Sequence, residues 1–107
     1  MTTSKQKAIG SAAERRVAAL LGGIRVGMDG GPVDVIVPGY ASVQVKNVKT
    51  LPSLRECVGH LEAMPTGLLR ATVVIERAGS GHRGLRTITF LLDEFVAWHG
   101  SSEEETA

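Results

Sequence analysis

The sequence predicts an α/β fold, one mixed central sheet flanked by helices, from elements in the order α-β-β-β-α-β-β-α. Three observations lead there. Apolar residues recur at helical spacing before residue 22, between residues 54 and 64, and again near the end of the chain. Between the first two of these stretches lie three strand-like runs, separated only by turns rich in glycine and proline, which makes an antiparallel meander. A second helix then divides the meander from a β-branched run, the arrangement that lets a crossover lay two strands side by side in one sheet.

Taken in order, residues 1–10 read as a flexible N-terminal arm, residues 11–100 as a single domain and residues 101–107, with Glu103, Glu104 and Glu105, as a disordered acidic tail. The first helix is expected to open at Ser11, with Glu14 three residues on completing a capping box, and to stop at Gly22-Gly23. Ile9, Val17, Leu20 and Leu21 supply its apolar stripe. Strands follow at 24–28, 33–37 and 41–48, broken by Asp29-Gly30-Gly31-Pro32 and Pro38-Gly39-Tyr40. Pro52 is placed to begin a helix whose Leu54, Cys57, Val58, Leu61 and Met64 face one way until Pro65 and Gly67 end it. Residues 69–76 read as a strand buried on both faces, 85–91 as a further strand and 92–98 as a last short helix.

Composition narrows the function. The chain has 107 residues, 43% of them apolar, enough for one core and not for two. No apolar run reaches the roughly 20 residues of a membrane span, and the polar N-terminus has no signal-peptide core, so a cytoplasmic protein without membrane contact is expected. Cys57 is alone and His60, His82 and His99 are scattered, which argues against disulfide scaffolds and zinc modules. The formal charge of +1 hides an asymmetry: residues 1–55 carry eight basic groups against three acidic, while residues 56–107 carry four against eight. Phosphate affinity follows local charge, so the first half is the side expected to meet an anionic partner.

Three polar residues interrupt apolar patterns. Asp34 stands inside Val33-Asp34-Val35-Ile36-Val37, and Gln44 and Lys46, two apart on the next strand, share a face. If the Pro38-Gly39-Tyr40 turn pairs the two strands, Asp34 lies near both, and Glu14 can approach from the first helix. Hard divalent cations such as Mg²⁺ take oxygen ligands of this kind: the Asp34 and Glu14 carboxylates, the Gln44 amide oxygen and the backbone carbonyl of Val45. Lys46 would stand beside the attacking water or the developing charge on a phosphate. Taken singly, each residue has a plainer reading, since Ser11-x-x-Glu14 is a capping box without any metal and Gln44 and Lys46 suit the solvent face of an edge strand.

Val33-Asp34, ten positions, then Gln44-Val45-Lys46 resembles the motif of the PD-(D/E)XK nuclease superfamily in its variant with glutamine for the second acidic residue. Residues 7–15, Lys7 to Arg15, are similar to the helix that carries a metal-binding glutamate in archaeal-type Holliday-junction resolvases. Residues 29–37 followed by Val43-Gln44-Val45-Lys46 also resemble the catalytic core of Mrr-type restriction nucleases. The likeness spans roughly residues 7–48, with Val33 where the family often has proline. It implies a restriction-endonuclease-like αβββαβ core, Glu14, Asp34 and Gln44 around Mg²⁺ (Mn²⁺ substituting), and Lys46 assisting the attacking water.

The expected activity is metal-dependent hydrolysis of DNA phosphodiesters, foremost of branched or four-way junctions. Lys7, Arg15, Arg16, Arg25, Lys49 and Arg55 are the candidate phosphate contacts. A chain this short has no separate recognition domain, so symmetric incision calls for a homodimer, with residues 85–98 as the expected interface. Two rival readings are a Mrr-like nuclease or nickase on duplex DNA, and a nuclease-fold protein that binds nucleic acid without cutting it.

Overall fold

A computed structural model describes residues 4–27, 31–79, 81 and 83–100. The elements are α1 (Ser4–Leu21), β1 (Ile24–Arg25), β2 (Val35–Val37), β3 (Ala41–Val48), α2 (Leu54–Ala63), β4 (Leu69–Glu76), β5 (Arg86–Thr89) and α3 (Leu92–His99), in the order expected from the sequence. They form one mixed five-stranded sheet, β1-β2-β3-β4-β5, in which only the β3–β4 pair is parallel. That pair is the one joined by a helix, α2, as a parallel connection requires.

The meander forms as its turn residues dictate. Tyr40 N donates to Val37 O at 2.9 Å, closing a turn with Pro38 second and Gly39 third at φ +71°. A type II turn needs a positive φ at its third position, which glycine alone adopts without strain. At the other end of α1, Gly23 N donates to Ala18 O at 2.8 Å and ends the helix where expected.

Alternation assigns the two faces of the sheet. Val35, Ala41, Val43, Val45, Leu69 and Ala71 pack with Ala13, Val17 and Ala18 of α1 into the main core. Intervening positions turn to the opposite face, where the Thr72 hydroxyl donates to Cys57 O of α2 at 3.1 Å and Leu61 and Met64 are buried. Each fully buried Leu or Val there contributes on the order of 2 kcal/mol. α3 is tied on by Arg70, whose guanidinium donates to both carboxylate oxygens of Glu94 and to Met64 O, and by Trp98 stacked on Tyr40.

Four expectations need correction. α1 begins at Ser4, not Ser11, so residues 4–10 of the expected arm are helical and Ser11 is an interior residue. Nothing in Lys5-Gln6-Lys7-Ala8-Ile9 breaks a helix, and Gly10 costs only about 1 kcal/mol, too little to stop one. Instead, Ser53 caps α2: Glu56 N donates to Ser53 Oγ at 3.1 Å and Ser53 Oγ to Glu56 Oε1 at 3.4 Å, so Pro52 lies before the cap rather than inside the first turn. β2 starts at Val35, where regular pairing with β3 begins, and β5 is confined to Arg86–Thr89. Residues 28–30, at the end of the expected first strand and in the turn after it, and the expected acidic tail lie outside the described residues.

Candidate functional site

Asp34 is held on every side. Its backbone N–H donates to Val43 O at 2.9 Å, its carbonyl accepts from Val26 N at 2.8 Å and Gly27 N at 3.3 Å, and Oδ2 accepts from Val45 N at 2.8 Å. The carboxylate therefore stands in for the backbone acceptor that a longer β2 would have supplied to β3. Oδ1 faces Gly27: a Cβ there would lie 2.7 Å from Oδ1 and 3.0 Å from both Asp34 Cα and Val33 O. Burial pushes the Asp34 carboxyl above its ordinary value. The Val45 N–H opposes that rise, the Glu14 charge adds to it, and Lys46 and Arg25 counter it.

Asp34 brackets Gln44, bonding through its backbone to the residue before and through its carboxylate to the residue after. Gln44 pairs in register with Thr72, so its side chain shares the α2 face of the sheet. Its Oε1 is buried without a hydrogen-bond partner, as is Asn47 Oδ1. An unmet buried acceptor costs about 1–3 kcal/mol, so each of these two oxygens would gain from a partner such as a water or a cation. Lys46 follows on the same face, half-buried, with no ion pair among the described residues.

Glu14 is placed differently. It lies on the α1 side and is taken by Arg25, whose Nε donates to Glu14 Oε1 at 2.7 Å while Nη2 donates to Ser11 Oγ at 3.0 Å. Register puts Arg25 opposite Val35, on the α1 face. Thus Asp34 bonds both neighbours of Gln44 and lies within reach of the Lys46 charge, while Glu14, close enough for its charge to reach Asp34, is committed to another partner. Arg25, one of the candidate phosphate contacts, has its Nε and Nη2 donors engaged on Glu14 and Ser11.

Of the other basic candidates, Arg15 and Arg16 are exposed on α1, Lys49 is exposed just after β3, and Arg55 is exposed in the first turn of α2. Lys7 belongs to α1, and its side chain lies outside what is described. Gly27 and the Ser11 hydroxyl are the site residues that sequence reasoning missed. A lone glycine in an expected strand is the usual mark of a close backbone approach, so Gly27 carried a signal; the role of Ser11 depended on where α1 begins.

The oxygens available to a divalent cation are Asp34 Oδ1, Gln44 Oε1 and, beyond the Arg25 bond, Glu14. The Val45 carbonyl leaves β3 on the Asp34 side, because a strand residue directs its N–H and C=O the same way. Among the described residues no group of three or more His, Cys, Asp or Glu has metal-binding geometry. The ligands expected from the sequence, two carboxylates, an amide and a carbonyl, are all oxygen donors of the kind Mg²⁺ takes. No helix among the described residues is long and apolar enough to cross a membrane. No protein-family model, no curated protein and no solved structure matches the chain.

Proposed function

We propose that the chain is a cytoplasmic, metal-dependent DNA endonuclease with a restriction-endonuclease-like core, which hydrolyses phosphodiester bonds at four-way junctions as a homodimer. The observation that carries the reading is the unpartnered, buried Gln44 Oε1 bracketed by Asp34, whose half-buried carboxylate is itself disfavoured in its charged form. A half-buried carboxylate and a buried, unmet acceptor on adjacent segments are groups that a cation would satisfy. The run from α1 to β4 has the helix and strand order of the αβββαβ core, which agrees with this reading.

Asp34, Gln44, the Val45 carbonyl and, once freed, Glu14 would hold a divalent cation, which would supply charge neutralisation to a phosphate. Lys46, unpaired on the same face, orients the attacking water and stabilises the added negative charge on the phosphate oxygens. Arg15, Arg16, Lys49 and Arg55 hold the backbone on either side without reading bases. Apolar grooves of about 280 and 310 Å³ between the end of α1 and β4–β5, flanked by exposed Leu20, Leu21 and Ile88, join the expected β5–α3 face as the surface for a second copy.

The test is cleavage of a labelled four-way junction and of its duplex arms with Mg²⁺, Mn²⁺ or EDTA, beside light scattering for mass. Paired metal-dependent nicks in the junction, from a species of twice the chain mass, are expected. Equal cutting of the duplex moves the assignment to a Mrr-like nuclease or nickase. Tight binding with no cut under any metal leaves the non-catalytic reading, which the Glu14–Arg25 pair and the neutral Gln44 favour.

A further inference from the structure

Arg25 is out of keeping with an ordinary surface ion pair. It stands on the two-residue strand β1, and the residue after it donates its N–H to the carbonyl of Asp34. Its guanidinium uses two of its donors on Glu14 and Ser11, three residues apart and hence one turn apart on α1. Its charge also reaches Asp34, as does that of Glu14. One guanidinium therefore lies in the field of both carboxylates that a divalent cation would use.

Two cations cannot share those carboxylates cheaply. A divalent ion brought against Glu14 weakens the hold of the carboxylate on the guanidinium at Oε1 and repels that guanidinium from Asp34. The Arg25 and Glu14 side chains are 26% and 18% exposed, so the pair is open to exchange with solvent and ions. An arginine drawn from a carboxylate has a ready alternative in a phosphodiester, which accepts the same two parallel N–H bonds. Hydrolysis at this site brings such a phosphate beside it.

We propose that Arg25 is an exchangeable counter-cation: without nucleic acid it occupies Glu14 and Ser11, and on substrate binding it moves to a backbone phosphate, freeing Glu14 for the divalent cation. This rests on the endonuclease reading and adds to it a coupling between substrate and metal. Because coupling is reciprocal, DNA tightens metal binding and metal tightens DNA binding by the same factor, of order tenfold. Free metal in the absence of DNA then finds a site short of one ligand, which restrains cutting where no substrate is engaged.

The experiment is a Mn²⁺ titration of the full chain followed by the electron paramagnetic resonance signal of free Mn²⁺. It is run with and without a phosphorothioate-linked four-way junction, with Mn²⁺ bound by the DNA alone subtracted. The expected wild-type result is weak binding that the junction tightens about tenfold. Arg25→Gln without DNA should bind Mn²⁺ more tightly than wild type without DNA, and should gain less from the junction than wild type does. Adding Glu14→Gln to Arg25→Gln should remove that tighter binding. Wild-type affinity unmoved by the junction overturns the exchange without needing any variant. So does a folded Arg25→Gln that binds Mn²⁺ no better than wild type, since Arg25 is then a strut between β1 and α1. No Mn²⁺ bound by any protein, with or without DNA, overturns the endonuclease reading and this proposal with it.

Discussion

Asp34→Asn is expected to abolish metal-dependent cleavage while leaving the fold as stable as wild type, or more so. The substituted side chain keeps an oxygen for the Val45 N–H, so the bond that replaces the missing β2 acceptor survives. What disappears is a negative charge that burial disfavours. A carboxyl raised in the folded state favours folding most below its unfolded pKa, and that contribution is lost as pH rises through the folded value. At neutral pH the charge is therefore a liability that the amide removes, and the melting temperature should hold or rise. Cleavage should fall by at least about 10²–10³-fold, the usual loss when one preorganised electrostatic group is deleted, and Lys46→Ala should match it. The same raised pKa predicts that metal binding fails on acidification at a higher pH than for an ordinary aspartate. A thermal melt and a cleavage assay across pH check all of this, and a clear loss of stability in Asp34→Asn would make Asp34 a structural residue.

Gly27→Ala should damage stability and activity together. The added methyl would sit 2.7 Å from Asp34 Oδ1 and 3.0 Å from Asp34 Cα and Val33 O, and the last two belong to backbone that cannot swing aside. Overpacking of this kind costs about 1–3 kcal/mol. In a domain of this size each kcal/mol lowers the melting temperature by roughly 4–8 °C. The segment that carries Asp34 must shift, disturbing the carboxylate and its bond to the Val45 N–H, so cleavage should drop by more than the loss of folded protein explains. Gly31→Ala is the matched control, because a methyl there meets nothing within 4 Å. Equal behaviour of the two variants in melting and cleavage would contradict the close approach at Gly27.

How far the sequence could be read depended on the range of the forces involved. Element order, the Pro38-Gly39 turn and the doubly buried β4 all rest on local chemistry or period, and each was legible in the chain. Of the two Ser-x-x-Glu runs at Ser11 and at Ser53, only the second caps a helix. The difference lies upstream: Pro52 keeps the preceding residue out of helical conformation, while the residues before Ser11 are good helix formers. The candidate site divides in the same way. Asp34 lies beside the Gln44–Lys46 stretch of β3 because a two-residue turn sets the register of the two strands, and that turn is written locally. The capture of Glu14 by Arg25 joins residues 11 apart across a helix end and a strand. That contact depends on how α1 lies on β1, which no spacing rule encodes. Gln44 is the intermediate case, since its place was legible and its unpartnered oxygen was not.

The central claim, that Asp34 and Gln44 hold a divalent cation beside Lys46, is tested most directly by locating Mn²⁺ through its anomalous scattering in crystals of the wild-type chain. The account predicts one peak in coordination range of Asp34 Oδ1 and Gln44 Oε1, absent from crystals of Asp34→Asn. Wild-type crystals with no peak there, or a peak that persists in Asp34→Asn, would contradict it.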